Sequence, residues 1–248
     1  MKISSESLGN TRGSFAVGMS NESERESWVI EKLKSLPRGS RLLDAGAGER
    51  KFKIFCEHLQ YIAQDFGRYD GKGDSTGLQT GAWNQENLDI ISDITAIPEP
   101  NDSFDAILCT EVLEHLPDPV TAIAEFSRLL RADGQLILTA PFCSLTHFSP
   151  FHFYTGFNHY FYETHLPKFG FRIVEMVGNG NFFEYLAQEV HRLGSVARTY
   201  VGVEPNVLER LAAKVVLRLL GRLSAQDRGS MELLNFGYFV RAVKDSKE

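Results

Sequence analysis

The sequence predicts an open α/β sheet with helices on both faces. Two observations carry that reading. Short apolar runs with strand character alternate with segments of helical periodicity. A glycine turn, Asp44-Ala45-Gly46-Ala47-Gly48, stands directly after the first such run. Composition agrees: of 248 residues 43% are apolar and 23% charged, ordinary globular usage that excludes a disordered, collagen-like or disulfide-framework chain. A chain this long buries about three quarters of its unfolded surface and needs no staples.

Residues 1–21, rich in Ser, Gly and Asn, are expected to form a flexible arm, although Phe15, Val17 and Met19 could fold over a ligand. Residues 22–248 are expected to be one domain. Asn21 to Leu36 carries Trp28, Val29, Leu33 and Leu36 near helical spacing, and Pro37-Arg38-Gly39 ends it. Arg41 to Asp44 is the first strand, Lys51 to Leu59 a helix and Tyr61 to Asp65 the second strand. Such a βαβ unit implies parallel pairing. Residues 66–88 form a polar, glycine-rich loop, of a length usually tied to function or disorder. Leu88 to Ile91 is a short strand. Phe104 to Cys109 has the character of a buried central strand. Thr121 to Leu130 shows a helical stripe, Asp133-Gly134 turns the chain, and Gln135 to Ala140 is another buried strand.

An aromatic, His-rich connector covers 141–162. Phe161 to Leu166 reads as helical and Phe171 to Val177 as a strand. Phe182 to Val196 and Val207 to Leu223 are helical, inside an insertion at about 180–232. Phe236 to Val243 is the last strand.

The charge balance, 26 basic against 32 acidic residues for a net −6, argues against a dedicated nucleic-acid binder. Cys56, Cys109 and Cys143 form no CxxC and read as small buried hydrophobes in a reducing compartment. No signal peptide and no membrane span is expected, and the expected location is cytoplasmic.

Open α/β sheets bind ligands at the carboxyl ends of their strands. Glycines there let a ligand approach the backbone. Lys51 stands where a dinucleotide fingerprint needs its third glycine, which counts against a nicotinamide or flavin. No phosphate-binding loop is present. Acids gather at strand ends: Asp44 before the glycines, Asp65 closing the second strand 19 residues after Gly46, Asp93 past the third, and Asp105 and Glu111 bracketing the fourth.

Four blocks in this order carry a family resemblance: Leu42 to Gly48; Ser92-Asp93-Ile94-Thr95-Ala96-Ile97-Pro98; Ser103 to Pro119, with Thr110-Glu111-Val112-Leu113-Glu114-His115; and Leu129 to Leu138. The chain resembles class I S-adenosylmethionine-dependent methyltransferases over about residues 40–140. The resemblance implies a Rossmann-like sheet, mostly parallel with an antiparallel last strand, and S-adenosyl-L-methionine as cofactor. Asp44, Ala45, Gly46 and Gly48 would receive its methionine portion, Asp65 the ribose hydroxyls, and Asp93 with the Ile94 backbone the adenine. Thr110 and Glu111 would border the methionine end, and Phe66 and Arg68 would pack on the adenosine. Glu111 and Glu114 also read as acids in the first turn of a helix, favoured there by its dipole.

The methyl acceptor calls for its own residues. A hydroxyl must lose a proton, and His is the usual base near neutral pH. The connector after the strand ending at Ala140 supplies His147, His152, Tyr154 and His159; His152 ranks first as base and His147 second. Each of these also reads as core or surface. No metal is expected: His147, His152, His159 and His165 match no zinc spacing, and no Cys or acid sits between the first three. The Pro-x-His-aromatic-Tyr pattern resembles methyltransferases found with surface-polysaccharide enzymes, which implies a sugar or glycan-related hydroxyl as acceptor and a role in polysaccharide biosynthesis. Transfer to nitrogen or carbon of another metabolite stays open, as does a non-catalytic binding protein on the same scaffold.

Val207 to Leu223 has a broad apolar face, with Arg210, Lys214, Arg218 and Arg222 at strict i, i+4 spacing on another. The leading expectation is a core-packed helix with a solvated basic face. A homodimer or lid helix, and a helix lying on an anionic membrane surface, are the other two.

Overall fold

The computed structural model describes residues 16–246. Residues 1–15, most of the expected arm and Phe15 with it, lie outside the described residues. The described chain divides into two compact units, 26–177 with 237–246 and 16–25 with 178–236.

Seven strands form one sheet among the described residues: β1 (Arg41–Ala45), β2 (Gln60–Asp65), β3 (Ile90–Ile91), β4 (Phe104–Thr110), β5 (Leu130–Pro141), β6 (Phe171–Asn179) and β7 (Gly237–Lys244). Their order is β3-β2-β1-β4-β5-β7-β6. β1 pairs in parallel with β2 and β4, β2 with β3, and β4 with β5, whereas β7 runs antiparallel to β5. From β1 the chain walks outward through β2 and β3, then returns to the other side of β1 for β4. That reversal is a topological switch point, where open sheets bind ligands.

Neighbouring residues on a strand face opposite sides, and each side here has its own core. Leu43, Ile107 and Leu138 pack with Ile123, Phe126 and Leu129 of α2 (Pro119–Leu129) and with Tyr162 of α3 (His159–His165). Leu42, Leu108 and Ile137 pack with Trp28, Val29 and Leu33 of α1 (Asn21–Ser35). Burial on both faces is why the central strands read as continuous apolar runs. α2 starts where Pro119 supplies a preset φ and the Asp118 carboxylate accepts the Thr121 N–H at 3.0 Å.

Several elements depart from expectation. The helix over Lys51 to Leu59 is only a 3-10 turn, Lys53–Phe55. Aromatic and β-branched residues hold helices poorly there, and Phe52 and Cys56 are drawn into the core beside Leu42. The third strand is two residues long. Before it, the Asp89 carboxylate, not a backbone carbonyl, accepts the Ala63 N–H at 2.8 Å. β5 begins at Leu130, five residues early. Its extra residues form an irregularity between the pairs Phe104–Leu130 and Ala106–Gln135, with Asp133 at φ 61.

In the second unit, α4 (Phe182–Tyr200) and α5 (Val207–Ser224) pack against each other, capped by the Asn181 and Asn206 side chains. Val17, Ala187, Leu217 and Leu220 make its small core. The core-packed expectation for Val207 to Leu223 is corrected here. Of the expected stripe only Leu220 is buried, and Val207 (81%) and Leu208 (76%) stand in solvent with Leu211, Val215, Val216 and Leu219. One narrow line, Leu217 and Leu220, suffices to pack a two-helix hairpin. No helix among the described residues is long and apolar enough to cross a membrane.

Candidate functional site

The carboxyl ends of β1, β2 and β3 lie side by side and present three acids. Asp44, on β1, is buried and accepts the Tyr61 hydroxyl. Burial pushes its carboxyl up to about 7, against the Tyr61 hydrogen bond and with help from the charge of Asp65. Asp65 ends β2, 5% exposed. Its carboxylate accepts the backbone N–H of Gly48 at 2.9 Å and of Gly67 at 3.0 Å, and the Gln85 side-chain amide at 2.9 Å. Asp93, past β3, is exposed and folds into a turn, accepting the Thr95 N–H and hydroxyl through one oxygen at 2.9 and 2.7 Å. Those bonds hold its carboxyl below the usual range. Ile94 is buried directly after it.

The glycine turn is pinned to β2. Gly46 and Ala47 donate to the Gln64 carbonyl at 2.9 and 2.8 Å, and Ala45 is fully buried beneath them. Gly48 has φ +50, and a Cβ there would lie 2.6 Å from Cζ2 of Trp83. Trp83 belongs to the long loop, which is ordered against the connector after β5. Leu78 donates to the Thr146 carbonyl at 2.9 Å, and Phe148 donates to Leu78 at 3.1 Å. The approach is close enough that a Cβ at Gly73 would fall 1.8 Å from the Ser149 carbonyl oxygen, so side chains are excluded there. The rings of Tyr69, Trp83 and Phe148 stack edge and face with centroids 4.4–5.8 Å apart. Phe66 meets Phe151 at 4.9 Å.

On the other side of the switch point, β4 ends in half-buried Thr110. Glu111 follows at φ 54, in a left-handed conformation that is rare and costly for a long side chain and is found mostly where surroundings enforce it. Its carboxylate accepts the Thr139 hydroxyl at 2.9 Å. Glu114 stands in the first turn of a short 3-10 helix, Leu113–His115, as the first-turn reading expects, whereas Glu111 lies before that helix.

Three histidines meet here. His115 and His147 have ring centroids 4.6 Å apart, His147 and His152 4.8 Å, and His115 and His152 5.9 Å. The Nδ1–H of His115 donates to the Phe151 carbonyl at 2.6 Å and that of His147 to the Leu145 carbonyl at 2.8 Å. A carbonyl only accepts, so each ring keeps its Nε2 for another partner. His152 is set the opposite way. The Ser144 hydroxyl gives its one proton to the Thr155 carbonyl at 2.9 Å and so accepts from His152 Nε2 at 3.2 Å, leaving Nδ1 as the His152 lone pair. Burial, with the neighbouring His147, lowers His115 to about 3 and lowers His152 as well. Both are neutral imidazoles at pH 7. Glu114, its side chain 1% exposed, places Oε1 3.7 Å from His115 Nε2 and 3.9 Å from His147 Nε2. These three donor atoms lie within 4.8 Å of one another.

The other two expected catalytic residues point elsewhere. The Tyr154 hydroxyl donates to the Pro117 carbonyl at 3.3 Å. His159 opens α3 and stacks on Tyr160, with Tyr238 beyond at 6.2 Å. Glu114, read from sequence only as a first-turn acid, joins the site, as do His115, Gln85 and Trp83, which had no reading of their own. The Glu-His pair directly after a strand end was the available signal for the first two.

Residues 43–138 match the family described as methyltransferase domain. A ubiquinone biosynthesis O-methyltransferase of Xanthomonas oryzae pv. oryzae is 38% identical over 107 residues, 41% of this chain and 43% of that protein. A demethylmenaquinone methyltransferase of Renibacterium salmoninarum is 30% identical over 166 residues, 65% of this chain and 63% of that protein. The chain thus spans less than two thirds of the length of either relative. Among solved structures, the [4+2]-cyclase SpnF superposes with a TM-score of 0.57 over 97% of this chain and 86% of its own, at 16% identity. That likeness shows the fold alone, and a fold does not fix a reaction.

Proposed function

We propose, from the premise that residues 43–138 form a class I, S-adenosylmethionine-dependent methyltransferase domain, that the protein methylates a hydroxyl of a small molecule or glycan. One observation carries the proposal: the acids Asp44, Asp65 and Asp93 and the glycine turn share the edge of one sheet with a histidine cluster, on the two sides of its switch point.

The donor chemistry fits the cofactor. An ammonium, a ribose diol and an adenine amine each need an acceptor oxygen, and three carboxylates at adjacent strand ends offer them. Asp65 is the ribose acid in this reading, and the Gln85 amide is the exchangeable one of its three donors. Asp93 keeps one oxygen outside its own turn. Gly46 and Ala47 hold the turn against β2, which fixes the backbone beside which the methionine portion would lie. When bound, S-adenosylmethionine supplies an electrophilic methyl group on a sulfonium. The protein's tasks are to orient the acceptor, to exclude water and to take the hydroxyl proton. His152 Nδ1 is the assigned base, held in that tautomer by Ser144. The aromatic wall of Tyr69, Trp83 and Phe148 suits the apolar face of a sugar ring, and we place the protein among enzymes of polysaccharide biosynthesis. The relatives' names favour a second acceptor class, a phenolic or quinol ring, which the same wall fits. A cytoplasmic location suits three unbridged cysteines.

The exposed apolar face of α5, flanked by Arg210, Lys214, Arg218 and Arg222, is proposed as a surface covered in the working protein, by a second copy or by an anionic membrane. Equilibrium sedimentation and vesicle flotation separate the two.

Calorimetry with S-adenosylhomocysteine tests the cofactor reading. Wild-type protein binds it saturably and ignores NAD, and Asp65→Ala weakens it at least 10-fold. Equal affinity in the variant would remove the ribose assignment. Mass detection of methyl transfer to sugar and phenol panels then identifies the acceptor.

A further inference from the structure

We infer that the second unit docks on an anionic lipid bilayer, through the apolar tip that joins α4 to α5 and the basic line along α5. This commits the covered surface of α5 to one occupant, and it stands apart from the methyl-transfer reading.

The apolar part is a contiguous run. Tyr200, Val201 and Val203, at the end of α4 and just past it, are 64%, 70% and 62% exposed, and Val207 and Leu208 open α5 in solvent. Five large apolar side chains within nine residues thus face water, and Leu211 and Val215 continue the run along α5. Exposed apolar residues scattered singly are ordinary, whereas a continuous patch marks a surface that another body covers. The tip is held in this form by its own cap. The Asn206 side chain accepts the Leu208 and Glu209 N–H groups at 2.9 and 3.0 Å, and the Glu209 carboxylate accepts the Asn206 N–H at 2.7 Å. A capping box of this kind orders the first turn, so Val207 and Leu208 are presented from fixed backbone.

The charges select the occupant. Residues 198–222 include five basic and two acidic residues, a net +3 in a chain of −6. Both acids are engaged. The Glu204 carboxylate accepts from Arg198 Nε at 2.7 Å and from Arg210 Nη2 at 2.9 Å, and Glu209 serves the cap. Two guanidinium groups on one carboxylate leave the tip positive. Lys214 and Arg222 hold no ion pair with a described residue. Positions four apart advance about 40° round a helix, so Arg210, Lys214, Arg218 and Arg222 form a line beside Val207, Leu211 and Val215. Basic side chains along the border of an apolar face reach the headgroup phosphates while their stems lie against the acyl boundary. A second copy of the chain suits this surface less well. A two-fold pair sets the same patch against itself, which brings the basic lines together with both nearby acids already engaged. No helix among the described residues is long and apolar enough to cross a membrane, so the contact is peripheral, with the apolar face about 5–10 Å into the headgroup boundary.

The test follows flotation of the full chain with vesicles of phosphatidylcholine alone and of phosphatidylcholine mixed with phosphatidylglycerol. Salt is raised from about 0.1 M to about 1 M, which shortens the screening length from about 10 Å to about 3 Å. The chain should float with the mixed vesicles, at least 10-fold less with the neutral ones, and less at high salt. Leu208→Glu with Leu211→Glu, and separately Lys214→Glu with Arg222→Glu, should each weaken flotation at least 10-fold. If one pair fails to fold by circular dichroism, the other decides. No flotation with the mixed vesicles, equal flotation with both lipids, or flotation unchanged in the folded variants overturns the inference. A dimer in equilibrium sedimentation that Leu208→Glu with Leu211→Glu dissolves, without flotation, assigns the patch to a second copy and overturns it too. S-adenosylhomocysteine is titrated into the same samples. Flotation without its binding removes the cofactor reading and leaves this surface standing; its binding without flotation does the reverse.

Discussion

Asp44 concentrates the electrostatics of the site in one carboxyl. Its folded-state value of about 7 lies well above the ordinary 3.8, so the folded protein holds a proton that the unfolded chain releases. The stability this group contributes is full below about pH 4 and is lost as pH rises through 7, a change on the order of 4 kcal/mol. Thermal unfolding of Asp44→Asn should therefore lose much of the decline seen in the wild type across that window. An ammonium placed beside Asp44 favours its charged form, so cofactor-product binding at pH 6 should expel a fraction of a proton, read from calorimetry in buffers of different ionisation enthalpy. His152→Gln, once an acceptor is known, should lower turnover about 10²–10⁴-fold while leaving S-adenosylhomocysteine affinity in place; unchanged turnover would remove the base assignment. The acids at strand ends were legible in the sequence, because a strand followed by a carboxylate is a local pattern. The histidine cluster was only half legible. Which ring nitrogen carries the proton is decided by the carbonyls of Leu145, Phe151 and Thr155, which no side-chain pattern reports.

At the scale of elements, the loop over 66–88 and the connector after β5 act as one covering layer. Their union depends on glycines where backbone meets backbone. Gly73→Ala should part them, since its Cβ would fall 1.8 Å from the Ser149 carbonyl oxygen. Hydrogen exchange at the Leu78 and Phe148 amides, which bind across the junction, should quicken at least 10-fold in that variant. Unchanged exchange would mean the layer is held by its aromatic rings alone. The sequence marked this loop as long and glycine-rich but could not pair it with a partner 70 residues away. It overcalled the helix at Lys51 to Leu59 because apolar spacing there serves core packing of Phe52 and Cys56 instead. It misjudged α5 because an apolar stripe says nothing about what covers it.

For the whole molecule, a mostly parallel sheet with an antiparallel last strand was legible in the sequence, whereas the strand order β3-β2-β1-β4-β5-β7-β6, which places every cofactor acid on one edge, comes from the structure. The division into two units, by contrast, reflects where long-range contacts are dense, which periodicity does not encode. The central claim is that this edge binds an adenosyl cofactor with its ribose on Asp65. A crystal structure of the protein with S-adenosylhomocysteine tests it most directly. The account predicts ribose hydroxyls within hydrogen-bonding distance of the Asp65 carboxylate, in place of the Gln85 amide, and the adenine amine at Asp93. Product bound away from the Asp44–Gly48 turn, or none bound at saturating concentration, would contradict it.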